Sequence, residues 1–410
     1  MTFSLTKALN TIQLLIMVFL LSSFLVFDSY AWGKYTFIIS AALILLISVI
    51  KNNGKLKFCF EPFIAMLLLF TAYVALTSFW SLSGFETLTK ARTLLRIVVC
   101  GTMIYWSFLN DEDPYRLVLA FIFASYFTAI YSIYSYGFSN IIHVANSIYF
   151  SESFTNINSI ALFLAFGCIC DLYMMLFCRF RIYSLLSILS VAVIAATSSR
   201  KAIIFLFVGT LLLLLFRYAA SESIGYRILK GFSILAFTAV AVYLLIQLPI
   251  FSHVNIRLEQ MLNTFKGTGK MDTSSLMRNK LVELGISCWL KNPIGGIGIG
   301  ATAIVAREEL NFGSYLHNNF VELLAGGGII AFLLYYAMYA HLIHGFFKLR
   351  KSDYQWFVFG IVFIILMLIT DYGRVSYYSK TVTFELMLLF LTLRNVAYNR
   401  KEEPDDLQSD

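Results

Sequence analysis

Read for hydrophobic and polar positions, the chain alternates between long apolar runs and short polar breaks. A helix needs about 20 apolar residues to cross the hydrocarbon core of a bilayer. On that measure membrane-spanning helices are predicted near 8–28, 35–50, 60–80, 91–109, 115–136, 156–177, 182–198, 201–217, 231–249, 316–344, 354–370 and 379–397. Almost no turn separates 182–198 from 201–217, which fits a tight hairpin or a partly re-entrant element. Because many further runs follow it, the first is expected to be a span and not a cleaved signal. The expected class is an all-α, polytopic membrane protein with about 12 transmembrane helices and one large extracytoplasmic loop containing a short helix. N-terminal membrane helices fill 1–249 (about nine), the loop fills 250–315, about three more helices fill 316–397, and 398–410 is a polar tail.

Composition agrees with lipid exposure. Hydrophobic residues make up 59% of the chain and charged residues 13%, with a mean hydropathy of +0.78. A soluble domain carries about a quarter charged residues to solvate its surface. The net charge of +8 is scattered among the apolar runs. No basic stripe interleaved with aromatic residues accompanies it, so nucleic acid is discounted as a partner. A basic surplus instead orients the loops. Lys51, Lys55, Lys57, Arg179, Arg181, Arg217, Arg227, Lys230, Lys348, Arg350, Lys351, Arg400 and Lys401 all fall on one side if the N-terminus is cytoplasmic. Both termini are therefore expected in the cytoplasm. Cys168 and Cys170 lack a matching second pair, so no zinc site is expected.

This topology puts 137–155, 250–315 and 371–378 outside. In the large loop, Leu281, Leu284 and Cys288 recur at helical spacing. Thr273, Ser274 or Ser275 can cap that helix, and Asn292-Pro293 ends it.

Five polar features fall on the same side. Ser198-Ser199-Arg200-Lys201 marks either a membrane boundary or an anion contact, since charge at this depth usually faces a partner or a wet cavity. Arg278, Asn279 and Lys280 lie in the first turns of the loop helix, where cations oppose the macrodipole; they form a solvated face or an anion contact. Asn292-Pro293-Ile294-Gly295-Gly296-Ile297-Gly298-Ile299-Gly300 follows a helix instead of a strand, which rejects a dinucleotide fingerprint and leaves a tight turn with close backbone approach. His317-Asn318-Asn319, trailed by Glu322 and Gly326-Gly327-Gly328, offers a histidine at the membrane boundary: a structural hydrogen-bonder or a general base. Asp371 and Arg374 are expected to form an ion pair between helices.

Together these features resemble the O-antigen ligase and polymerase superfamily, bacterial inner-membrane glycosyltransferases of surface-polysaccharide assembly. The resemblance rests on the Ser-Arg turn, the Arg-bearing helix running into Asn-Pro-Ile-Gly-Gly-Ile-Gly, and His-Asn-Asn entering a glycine-rich span. It covers about Val191 to Gly328, and the first 190 residues match only in topology. It implies transfer of glycan from an undecaprenyl-diphosphate carrier to a sugar hydroxyl in the periplasm, without a metal, cofactor or nucleotide sugar. Arg200 and Arg278 would grip the diphosphate and His317 would activate the acceptor hydroxyl. Lys201, Lys280, Asn318, Glu322, Arg92, Arg96 and Arg374 are expected to support them. The implied partners are carrier-linked glycan donor and acceptor, membrane lipid and a chain-length regulator protein. Leu316 to Leu323 and Asp371 to Tyr378 look more like polymerases than ligases. A transporter or flippase is the remaining alternative.

Overall fold

The computed structural model describes residues 3–27, 32–55, 60–109, 111, 113–137, 156–179, 181–197, 199–218 and 273–402, with scattered positions between 226 and 236. Every regular element among them is helical. They are α1 (Phe3–Val26), α2 (Gly33–Lys51), α3 (Pro62–Leu76), α4 (Gly84–Phe108), α5 (Tyr115–Tyr136), α6 (Ile157–Tyr173), α7 (Ser187–Thr197) and α8 (Arg200–Tyr218). After the next described stretch begins come α9 (Thr273–Lys291), α10 (Thr302–Leu310), α11 (Asn319–Lys348), α12 (Tyr354–Asp371) and α13 (Lys380–Glu402).

Among the described residues, eight helical stretches are long and apolar enough to cross a membrane: Leu5–Val26, Pro62–Phe79, Tyr115–Tyr136, Ile157–Cys178, Arg200–Tyr218, Asn319–Lys348, Tyr354–Asp371 and Lys380–Asn399. Tyr35–Lys51 and Ile182–Thr197 are shorter apolar helices. The predicted segment 91–109 is the later part of α4, whose first turns carry Glu86 and Lys90. Most of the predicted span 231–249, the loop up to 272, most of 137–155, Ser198 and the end of the tail lie outside the described residues.

Successive helices pack as neighbours, α1 on α2 and α5, α3 on α4 and α11, α6 on α5 and α8, α11 on α12. Their shared core includes Phe70, Phe121, Phe166, Tyr173, Leu342 and Phe363. Polar side chains inside it are satisfied locally. Asp171 of α6 is 1% exposed and accepts from Tyr126 Oη at 2.8 Å, Ser184 Oγ at 2.7 Å and Ser187 Oγ at 2.7 Å. A buried carboxylate needs such partners, and these tie α6 to α5 and to the turn entering α7.

α11 is broken. Gly328 has φ 65° and ψ −167°, outside helical geometry, a region open essentially to glycine alone. The break frees carbonyls that lipid could not satisfy. The turn after α9 takes them up: Ile297 N–H donates to Ala325 O at 2.9 Å and Gly298 N–H to Gly326 O at 2.8 Å. In return Ile329 N–H donates to Pro293 O at 2.9 Å. Backbones approach so closely that a Cβ on Gly296 would meet the Gly326 carbonyl at 2.5 Å, and one on Gly328 would meet Ile294 O at 2.0 Å. The glycine run is thus a docking strip for the broken helix, as a tight turn with close backbone approach requires.

A second, smaller core forms beside this strip. Leu281 and Cys288 of α9 are buried with Ala306, Leu316 and Ala325, and Leu284 packs at their edge. α9 therefore presents the apolar face its spacing predicts, beginning three residues before Leu276 and ending just before Asn292-Pro293. The helix α10, closed by Asn311 in left-handed conformation at φ 52°, was not among the predicted elements.

Candidate functional site

The ends of α3, α4, α8, α11, α12 and α13 meet at one side of the bundle, beside the glycine strip. Trp80 Nε1 donates to Gly295 O at 3.2 Å, and Thr87 Oγ1 to Ile299 O at 2.6 Å. Lys201 gives its ammonium to Gly373 O. These contacts fasten the loop at 292–300, the α3–α4 turn and the 372–379 loop around the start of α11.

His317 sits just before that start in left-handed backbone conformation, φ 57°. An L-residue pays about 1–2 kcal/mol for this geometry, and it is held from both sides. Asn318 caps α11 by accepting from Val321 N–H at 3.1 Å. Glu322, 1% exposed, reaches back to accept from Leu316 N–H at 2.9 Å and also takes Thr302 Oγ1 at 2.7 Å. The ring of His317 lies against Tyr315, centroids 4.2 Å apart, and its Nε2 is 3.4 Å from Ser314 Oγ. Strain kept in place by surrounding bonds marks a residue whose orientation matters.

Arg278 and Lys201 both bear electrostatically on His317. Burial, and then these two charges, push its pKa down to about 4. The imidazole is accordingly neutral at pH 7 and free to accept a proton. Arg200, Arg278 and Arg374 in turn lie within electrostatic reach of Lys201. Lys201 of α8 and Arg278 of α9 therefore bear on one neutral histidine, and Arg200 and Arg374 bear on Lys201 in turn. Such a group suits an anion with several oxygens.

The remaining residues singled out from sequence fall into place differently. Arg374 lies 3.7 Å from Glu385, while Asp371 accepts from Tyr336 Oη at 3.0 Å and from Asn319 Nδ2 at 3.4 Å. The helix-locking ion pair of Arg374 thus runs to Glu385 of α13 and not to Asp371. Lys280 is exposed, about half a turn round α9 from Arg278. Arg92 and Arg96 are on the exposed side of α4, away from the Lys90 face.

Two residues have no role assigned from the sequence, Asn319 although it belongs to the His-Asn-Asn motif. Asn319 is fully buried, and its Oδ1 accepts from Ser376 N–H at 2.8 Å and Tyr377 N–H at 3.1 Å. It anchors the loop whose Gly373 carbonyl receives Lys201. Lys90 of α4 places Nζ 3.9 Å from Glu322 Oε1. In sequence it is one of several charged residues, with Glu86, Arg92 and Arg96, in the first half of α4.

Fold and site together define a multi-pass helical membrane protein with a basic, histidine-containing centre at one end of its helices. Residues 185–336 match the family model described as O-antigen ligase, which supports the O-antigen ligase and polymerase superfamily. The matched stretch is less than half of the chain, and it contains Arg200, Arg278, the glycine strip and His317. No curated protein matches the chain.

Proposed function

We propose that this protein is a glycosyltransferase of the bacterial inner membrane. It polymerises undecaprenyl-diphosphate-linked repeat units of O-antigen or a related surface polysaccharide, with its centre facing the periplasm. The observation that carries this proposal is that Lys201 and Arg278 bear on a neutral His317, with Arg200 within reach of Lys201. The family match implies ligase- or polymerase-type chemistry on lipid-linked glycans, and the basic residues of the opposite loops favour this orientation.

In the proposed step Arg200 and Arg278 hold the donor's diphosphate, with Lys201 beside them. The acceptor hydroxyl oxygen bonds to the anomeric carbon as the carbon–oxygen bond to the diphosphate breaks. The electron pair leaves on the diphosphate, where the guanidinium groups stabilise it. The hydroxyl proton passes to His317. No nucleotide or metal is assigned a part in this step. A chain-length regulator is the expected protein partner.

Transfer of finished polymer to lipid A-core is a second reading, favoured by the ligase description of the matching family model. Transport is disfavoured, because the carbonyls freed at the break in α11 bond to Ile297 and Gly298 instead of lining a passage.

The test is complementation of a deletion strain with Arg200→Ala, Arg278→Ala and His317→Ala, with membrane protein level measured alongside. Each variant is expected to lose long-chain polysaccharide at normal protein level, and wild-type chains in all three would refute the mechanism. In the deletion strain, single repeats remaining on the core indicate a polymerase. Bare core with accumulating carrier-linked polymer indicates a ligase.

A further inference from the structure

Lys90 is built into the site by four elements but takes no part in the step above. Its stem runs beside the turn at Gly300, where an added Cβ would lie 3.6 Å from Lys90 Cδ. Its ammonium lies over the rings of Tyr378 at 5.0 Å and Tyr377 at 5.8 Å. Glu322 Oε1 is 3.9 Å away, too far for a hydrogen bond. Glu322 is in any case already held by Thr302 and Leu316. Among the described residues nothing accepts a hydrogen bond from this ammonium, although its side chain is only 15% exposed. An ammonium carries three donors, so this one keeps hydrogen-bonding capacity for a ligand oxygen.

The position of Lys90 says which ligand. The charges bearing on His317 are Arg278 and Lys201, and those bearing on Lys201 are Arg278, Arg374 and Arg200. Lys90 belongs to neither set. It acts instead on Tyr378, together with Tyr377, Glu322 and Tyr315, and Tyr315 is the ring tilted against His317. Lys201 meets the 372–379 loop at Gly373 O, whereas Lys90 lies over Tyr377 and Tyr378 at the loop's other end and beside Glu322, which holds Leu316 N–H next to His317. A displacement at carbon brings the nucleophile in opposite the leaving group. The acceptor must then lie on the far side of the reacting carbon from the diphosphate, within reach of His317.

We propose that Lys90, with the rings of Tyr378 and Tyr315, forms the subsite for the acceptor glycan. The ammonium bonds sugar oxygens, most strongly those of an acidic sugar, and the rings pack on the sugar's C–H face. The proposal rests on the glycosyl-transfer reading above.

The test uses purified full-length protein with carrier-linked glycans isolated from the source strain. Radiolabelled donor is held saturating while the single-repeat acceptor is varied, and then the reverse. Lys90→Gln is expected to raise the acceptor KM about tenfold or more and to leave the donor KM within about twofold. Binding of undecaprenyl diphosphate alone should be unchanged, and Lys90→Arg should restore part of the acceptor affinity. Donor and acceptor KM rising together, or an unchanged acceptor KM, would overturn the assignment. If Lys90→Gln does not accumulate, Tyr378→Leu carries the same measurement, with the same outcomes deciding. Arg278→Ala serves as the separate control. If it still binds undecaprenyl diphosphate like wild type, the failure lies with the transfer reading and not with Lys90.

Discussion

Replacing Gly328 by alanine tests whether the glycine strip holds the site together. The new Cβ would lie 2.0 Å from Ile294 O and 2.7 Å from Gly295 N, so the strip or the helix must move. Forcing a non-glycine residue into this backbone region costs of order 1–3 kcal/mol. Displacing the strip also removes the bonds from Ile297 N–H, Gly298 N–H and Ile329 N–H. Each buried group left unpaired costs about 1–3 kcal/mol. Losing even one of these bonds brings the sum to about 2–6 kcal/mol, a large part of the stability of an ordinary domain. Gly101→Ala is the matched control. It lies inside α4 with nothing within 4 Å of an added Cβ, and alanine there gains up to about 1 kcal/mol of helix propensity. Thermal unfolding of the detergent-purified proteins, followed by size-exclusion chromatography, should show Gly328→Ala strongly lowered and Gly101→Ala unchanged or raised. Polysaccharide synthesis should follow the same order. A Gly328→Ala protein that unfolds with wild type would refute the docking-strip argument.

Asn319→Ala removes the acceptor for Ser376 and Tyr377 N–H, at about 1–3 kcal/mol for each group left unpaired. The expected result is faster proteolysis within 372–379 together with loss of transfer; an unaltered digestion pattern contradicts the anchoring role. His317 carries a folded-state pKa near 4 against about 6.5 unfolded, so the unfolded chain binds the proton first as pH falls. Its contribution to stability is intact above pH 6.5 and is lost as pH falls from there toward 4. The unfolding temperature of wild type should therefore drop relative to His317→Gln over that interval, and a constant difference between the two would refute a neutral, cation-flanked histidine.

Much of this protein can be read along the chain. Lipid crossing depends on the length and polarity of contiguous segments, so 60–80, 115–136 and 354–370 are recognisable without any tertiary information. The amphipathic face of α9 follows from the spacing of Leu281, Leu284 and Cys288 for a similar reason. Arg200, Arg278 and His317 stand out because charged or titratable groups at a membrane boundary are costly enough to need an explanation.

Other features depend on which parts of the chain meet. Glycine spacing signals close approach, yet nothing local says that Gly296 meets Gly326 or that α11 breaks at Gly328. Asn318 and Asn319 are adjacent and chemically identical; one caps α11 and the other anchors a loop more than fifty residues away. Lys90 and Arg92 sit on the same helix, and only the packing of α4 against α2, α3 and α13 turns the first toward Glu322 and leaves the second exposed. Apolar length and local periodicity are properties of neighbouring residues, and these the sequence determines by itself. Partner, burial and direction are properties of pairs distant in the chain, and only the packed bundle decides them.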